Sequence, residues 1–328
     1  MDNFLVLGGC GYVGSHIVKS LSRERINLVV VDNLNTGLRN RISESTKFYN
    51  LDAKETSALN QIIIENQITS VIHLAAKKQA RESMQNPLIY WDENIRVTLS
   101  LIKAVQNSSV RSILFSSSCS IYGNSGLTNL ETKHNPQSTY ARSKLVCEEI
   151  LKDCRISVGY RLGILRYFNV IGAGDFDNSN DRATEAVLPS FINKVLSNEA
   201  INIFGNKFGT HDGTAIRDYV DVRDLAEAHL KVANFLNTGS NSQFECLVST
   251  GNPKSVLEVA HEVILHAGRD AEIRYSESAL GDPAEVWSKP DEQLINLGWE
   301  PVYTFSESVK SQVNEMLKNR FSAELGNK

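Results

Sequence analysis

Short apolar runs recur along the first half of the chain. Each is followed by a stretch whose apolar residues return every three or four positions. Phe4–Leu7, Asn27–Val31, Lys47–Asp52, Ser70–Leu74, Ser112–Phe115 and Gly163–Phe168 read as strands. Between them, the residues up to Leu21, 55–65, Tyr90–Val105 and the stretch from Tyr140 onward read as helices. Strand and helix alternating in this way predict an α/β fold, a doubly wound parallel sheet with helices on both faces. After Asn169 the pattern changes. Gly172–Thr184 is polar and loop-like, Leu188–Leu196 reads as a helix, and Ile201–Phe204 as a short strand. Asp218–Val222 and Asp224–Leu236 return to sheet-like organisation, and from Cys246 short elements alternate. The predicted division is a nucleotide-binding domain over residues 1–170, with returning segments near 215–240. A smaller substrate-binding α/β lobe takes 171–214 and 241–328. The polar tail after Lys318 is expected to fray.

The first strand runs straight into Gly8-Gly9-Cys10-Gly11-Tyr12-Val13-Gly14 and then a helix. Strand, glycine turn and helix in that order are the context of a dinucleotide-binding turn, so the sheet is of the Rossmann type. Gly8 and Gly11 let the backbone approach a pyrophosphate at the helix N-terminus. Asp32 ends the second strand, where a carboxylate reaches ribose hydroxyls and repels a 2′-phosphate. That selects NAD over NADP, with Arg39 and Arg41 the residues an NADP reading would use. Asp52, at the end of the third strand, is placed for the adenine amino group or, alternatively, to cap the helix over 55–65. Leu74, Ala75 and Ala76 end the next strand with mostly small side chains that leave room for a cofactor, while His73 is expected to pack in the sheet. Ser116-Ser117-Ser118 follows the fifth strand. Tyr140 and Lys144 lie four apart, on one face of a helix. An ammonium near a phenol favours the phenolate, so this pair is a candidate proton-transfer unit.

Composition narrows the class. The chain has 328 residues, 41% of them hydrophobic and 22% charged, as in an ordinary globular protein. A net charge of −4 argues against a large nucleic-acid surface. The five cysteines are scattered without a Cys-x-x-Cys pair, so neither a zinc site nor a disulfide framework is expected, and a reducing cytoplasm fits. No metal site, signal peptide or membrane-length apolar run is read from the chain.

Taken together, these motifs resemble the extended short-chain dehydrogenase/reductase superfamily and, within it, the UDP-glucose 4-epimerases. The matching stretches run nearly end to end: Gly8–Gly14, Asp32-Asn33-Leu34, Val71–Ala76, Ser116–Gly123, Tyr140–Lys144, Leu165–Asn169, Ile203–Asn206, Asp212–Thr214 and Ile216–Val220. The resemblance implies an NAD-dependent nucleotide-sugar 4-epimerase that inverts C4 of a UDP-hexose-like substrate through a transient 4-keto sugar. It implies catalysis by Ser118, Tyr140 and Lys144, with Lys144 also on the nicotinamide ribose. Lys78 and Asn94 would lie along the cofactor, together with Tyr12, Val13, Asn33, Ala53, Ser116 and Tyr167. Lys78, Ser118, Tyr140, Asn169, Arg217 and Asp282 would face the substrate. A homodimer through the helices near Val97–Val105 and Ser143–Lys152 is also implied.

The chain departs from the family at three places. Ala279-Leu280-Gly281-Asp282 stands where the family carries Arg-x-Gly-Asp, whose Arg clamps the substrate pyrophosphate. Arg274 is a possible substitute for it. Glu185-Ala186 stands where an asparagine pair is usual, and Val286 precedes Trp287 where glucose-specific members often have Tyr. The departures predict weaker hold on plain UDP-glucose and room for a bulkier sugar. Two other readings are weighed: a net NAD-dependent oxidoreductase acting on a nucleotide sugar, and a non-catalytic NAD-binding regulator. Cys119-Ser120 after Ser118 argues against a dehydratase, whose Asp-Glu pair would stand there. A regulator would be expected to lose Tyr140 or Lys144.

Overall fold

A computed structural model describes residues 2–24, 26–183, 185–239, 243–278 and 282–326. In chain order the elements are β1 (Asn3–Leu7), α1 (Tyr12–Leu21), β2 (Asn27–Asp32), β3 (Lys47–Asn50), α2 (Thr56–Glu65), β4 (Ser70–His73), α3 (Ala80–Gln85), α4 (Pro87–Tyr90) and α5 (Arg96–Val105). Then come β5 (Ser112–Ser118), β6 (Gly126–Leu127), α6 (Thr139–Val158), β7 (Arg161–Tyr167), β8 (Asn169–Ile171), α7 (Val187–Leu196), β9 (Ile201–Phe204), β10 (Ile216–Arg217), β11 (Tyr219–Asp221) and α8 (Val222–Thr238). The last are β12 (Gln243–Val248), β13 (Lys254–Ser255), α9 (Val256–Ala267), β14 (Ile273–Ser276), β15 (Glu285–Trp287), α10 (Glu292–Asn296) and α11 (Phe305–Gly326).

Seven strands form one parallel sheet in the order β12-β7-β5-β4-β1-β2-β3. Alternate residues of β1 feed opposite faces. Phe4 and Val6 join α1 and α8 on one side, while Leu5 and Leu7 join α2, α5 and α6 on the other. Burial on both faces explains the unbroken apolar runs in the sequence. The chain winds outward from β1 in both directions, to β2 and β3 and then to β4, β5, β7 and β12. The order therefore reverses between β1 and β4, and the crevice at their carboxyl ends is where such sheets bind ligands.

A separate core forms from α7, α9 and α11 with Ile201, Ile203 and Tyr219. Around it lie a four-stranded sheet, β13-β10-β15-β6, and the pairs β9–β14 and β8–β11. Two expectations need changing. The strand over 243–248 belongs to the main sheet, not to the smaller lobe: it runs beside β7 from Gln243↔Leu162 to Val248↔Tyr167. Its Phe244, Cys246 and Val248 are buried with α8, which returns the chain to that edge. The tail also does not fray at Lys318. Helix α11 continues to Gly326, its Val309 and Val313 anchoring the first turns in the second core.

Candidate active site

The glycine turn closes onto the loop after β4. Gly8 has φ +81°, and a Cβ there would lie 2.9 Å from the Ala75 nitrogen. At Gly14 a Cβ would lie 2.1 Å from the Gly8 carbonyl oxygen, so α1 can begin this close to β1 only without a side chain. Gly11 precedes Tyr12 at the start of α1 and makes no side-chain cap, so the first-turn N–H groups are left without a side-chain acceptor, as an anion-binding helix start requires. Asp32 stands at the end of the neighbouring strand, buried. Its two carboxylate oxygens accept from the backbone N–H of Cys10 (2.9 Å) and Leu34 (2.8 Å). Burial raises its pKa and these two N–H bonds pull it back. Neither arginine that an NADP reading needs is free for a phosphate. Arg39 stacks over Phe48 at 5.0 Å and donates to the Ile42 carbonyl. Arg41 is buried and donates to the carbonyls of Asn178 (2.7 Å) and Asn180 (2.8 Å). This cradle and carboxylate fit NAD.

Asp52 is not a helix cap. Helix α2 begins after Glu55 without a side-chain cap, while Asp52 Oδ1 accepts from the Lys54 N–H (2.9 Å) and Oδ2 faces the Asn33 amide at 3.4 Å. Ala53 is buried beside them. Other predicted residues are drawn into the scaffold. The Tyr12 hydroxyl donates to the Gly172 carbonyl at 2.7 Å, and Lys78 lies 5.6 Å from the Tyr12 ring while pairing with Asp181 at 2.9 Å. Val13 packs against the main core. Asn94 is buried, accepts from the Lys77 N–H (2.8 Å) and donates to Ser143 Oγ (2.8 Å). His73 lies in the sheet as expected, neutral because burial lowers its pKa to about 3.

The catalytic candidates converge at the end of β5 and the start of α6. Ser138 caps α6 by accepting from the Ala141 N–H at 3.1 Å, which fixes the turn carrying Tyr140. Ser83, on α3, accepts the Tyr140 N–H at 3.0 Å. Ser118 stands close enough to the Tyr140 phenol to pull its pKa down, and its Oγ accepts from the Ser120 N–H at 3.2 Å. Lys144 is buried; its ammonium donates to the Ser116 carbonyl (2.8 Å) and lies 4.7 Å from the Phe115 ring. Ser116 Oγ in turn meets His229 Nε2 on α8 at 2.8 Å, and Tyr167 closes the same wall from β7.

The electrostatics differ from the simple expectation of a phenol with a lowered pKa. Burial raises the Tyr140 pKa to about 12, against the downward pull of Ser118. Burial lowers Lys144 to about 8, although Cys147 and Glu148 act in the other direction. With the ammonium held on a backbone carbonyl, desolvation outweighs the charge effect that the Tyr/Lys spacing suggests.

On the smaller lobe, Arg217 donates to the carbonyls of Ile216 (2.7 Å) and Pro283 (2.6 Å), and burial lowers its pKa. Asp282 is near enough to act electrostatically on it. Asn169 pairs in register with Tyr219, whose buried hydroxyl has no hydrogen-bond partner among the described residues. Arg274 does not join this group: it is largely exposed, pairs with Glu272 at 2.7 Å and lines a surface groove with Lys194 and Asn202. Ala279, Leu280 and Gly281 lie outside the described residues. Among the described residues no cluster of His, Cys, Asp and Glu is placed to hold a metal ion.

The sequence reading missed the supports. Ser83 and His229 are each one polar residue among several on their helices, and spacing carries no sign that they reach Tyr140 and Ser116. The buried Glu148, which accepts from Arg166 at 2.6 Å and Ser117 at 2.5 Å, was similarly hidden.

Comparison with known proteins agrees with this geometry. Residues 4–246 match the model of the NAD dependent epimerase/dehydratase family. A UDP-glucose 4-epimerase of Rhizobium meliloti is 33% identical over 323 residues, covering 95% of this chain and 96% of that protein. The crystal structure of UDP-glucose 4-epimerase from Brucella ovis in complex with NAD superposes with a TM-score of 0.89, at 29% identity over 96% of this chain and 98% of that one. The UDP-Glc/GlcNAc 4-epimerase from Campylobacter jejuni has a TM-score of 0.83, at 28% identity over 97% and 100%. The turn, the carboxylate and the Ser/Tyr/Lys group thus occur in a chain that belongs to the NAD dependent epimerase/dehydratase family.

Proposed function

We propose that the protein is an NAD-dependent nucleotide-sugar 4-epimerase in which Tyr140 moves the proton of the sugar O4. The observation that carries this reading is the Ser118–Tyr140–Lys144 group at the end of β5, beside the glycine turn that abuts Ala75. NAD, when bound, supplies the reversible hydride chemistry. Gly8, Gly11, Tyr12 and Val13 would hold its pyrophosphate and Asp32 its adenosine ribose. Tyr140 takes the O4 proton as that oxygen becomes a carbonyl and returns it after the sugar has turned. Ser118 donates a hydrogen bond to the same oxygen. Lys144 remains largely charged at neutral pH and supplies the chain's own positive charge one helical turn from the phenol. Asn94 acts by holding the Lys77 backbone and Ser143.

The test is interconversion of nucleotide sugars by purified protein without added cofactor. Stoichiometric build-up of reduced NAD from added NAD would instead support the oxidoreductase reading. Asp32→Asn should narrow the NAD preference over NADP by about tenfold, from the loss of a charge-assisted contact. Unchanged relative affinities in cofactor titrations would remove Asp32 from that role.

The substrate is read as a UDP-hexose larger than UDP-glucose. Val286 is buried beside Arg217 in the β10–β15 register, and a smaller residue than Tyr there leaves space near the substrate arginine. Higher kcat/KM on UDP-N-acetylglucosamine than on UDP-glucose is expected, with Ala279→Arg improving the latter. The protein is further read as a cytoplasmic homodimer. Leu99 on α5 and Val146 on α6 expose apolar surface on the two helices expected to pair, and no described helix is long and apolar enough to cross a membrane. Sedimentation as a monomer at micromolar concentration would remove the dimer.

A further inference from the structure

Arg81 sits on α3, two residues before the Ser83 that receives the Tyr140 N–H. It spans the gap between the two parts of the molecule. Its guanidinium lies 4.4 Å from the ring centroid of Phe204, at the end of β9, and 3.9 Å from the Asp282 carboxylate before β15. The ring is 44% exposed and the arginine 51% exposed, so this corner faces solvent rather than core. A separation of 3.9 Å is too long for a hydrogen bond. The guanidinium is therefore oriented by stacking and by charge, with its donors unspent on Asp282. Arg217 is the reverse case. Its two terminal nitrogens already donate to Pro283 and Ile216, and it is the half-buried partner of the same acidic residue.

We infer that Arg81 receives the diphosphate of the nucleotide sugar, holding it between the catalytic phenol and the exposed Phe204 face. This rests on the nucleotide-sugar reading and deepens it. A sugar at Tyr140 would lie against α3, whose Ser83 receives the Tyr140 N–H, and Arg81 on the same short helix offers a planar fork on the side toward Phe204. Arginine suits that task because two parallel N–H bonds match two phosphate oxygens. Stacking on Phe204 keeps the fork's plane fixed, and Asp282 holds the charge in place until the phosphates arrive. The anchor lets the keto sugar turn without leaving.

The experiment titrates the NAD-loaded enzyme and its Arg81→Ala and Arg81→Lys variants with UDP and, separately, with uridine. Arg81→Ala should weaken UDP about tenfold or more while changing uridine less than twofold, and Arg81→Lys should fall between. KM for the nucleotide sugar should rise with the UDP constant, and bound NAD should be retained. Equal weakening of UDP and uridine would overturn the inference, since Arg81 would then act through the fold or the nucleoside. Unchanged UDP affinity in Arg81→Ala would overturn it as well. Failure of the unaltered holoenzyme to bind UDP would overturn the nucleotide-sugar reading beneath it, an outcome visible before any variant is made.

Discussion

Helix α6 has two halves that treat buried charge in opposite ways. Its first turns carry Tyr140 and Lys144, and the next carry Glu148 and Lys152. Glu148 is fully buried and saturated: it accepts from Arg166 through both oxygens (2.9 and 2.6 Å) and from Ser117 at 2.5 Å. Arg166 completes its own set with Glu245 (2.8 Å) and the Tyr122 hydroxyl (2.9 Å). Lys144 is nearly as buried, yet its ammonium has a backbone carbonyl and an aromatic face rather than a carboxylate. Its pKa falls to about 8 while the Tyr140 phenol rises to about 12. The lesson is that a buried group with every partner in place specifies structure. A buried group left short of partners stores the electrostatic imbalance that a reaction can use.

The strongest way to break this contrast is Tyr140→Phe. Loss of the proposed proton carrier should lower kcat by about 10²–10⁴ with little change in Tm and with NAD retained. Near-native turnover on a nucleotide sugar would end the assignment. Glu148→Gln, on the structural half, should do the opposite. Removing one partner of a buried pair strands the other, at a cost of about 3–5 kcal/mol. Denaturant unfolding should show that loss, and a fully stable variant would contradict the picture of a saturated network.

Lys144→Met sharpens the comparison through pH. The folded pKa of about 8 lies below the ordinary 10.5, so the fold disfavours the charged form. That penalty is fully present below about pH 8 and is relieved as pH rises toward 10.5, because the unfolded chain then binds the extra proton. It amounts to roughly 3 kcal/mol at about 1.4 kcal/mol per unit. The methionine variant should therefore be inactive but more stable than the original chain at pH 7, and the difference should shrink by pH 10. A variant less stable at pH 7 would place Lys144 among the structural residues. The smallest effect is expected at Ser117→Ala. Loss of one hydrogen bond to a charged group should cost about 1.5–3 kcal/mol, less than Glu148→Gln and with kcat preserved. A large fall in kcat would join the two halves into a single functional unit.

Much of the fold and part of the site were legible along the chain. The strands of the main sheet are apolar on both faces and so stand out as continuous runs. The glycine turn, Asp32, Ser118 and the Tyr140/Lys144 spacing are local patterns whose chemistry depends on a few neighbouring residues. Expectations weakened where a residue's partner is distant. The strand over 243–248 was assigned to the wrong part because its ladder with β7 joins positions 81 residues apart at Gln243↔Leu162. Arg274 looked useful by proximity to Gly281-Asp282 in sequence, but its strand turns it to a surface groove.

The sequence by itself determined the parallel sheet and the nucleotide turn and brought forward Tyr140 and Lys144 as a candidate pair, because each rests on hydrophobic period or on spacing within one element. Only the tertiary structure decided their electrostatic state. Desolvation and long-range pairing set whether Lys144 faces a carbonyl, whether Glu148 is saturated, and whether Arg81 meets Phe204 and Asp282. Those terms depend on which groups are brought together from distant parts of the chain and how far water is excluded, and neither is written in local order.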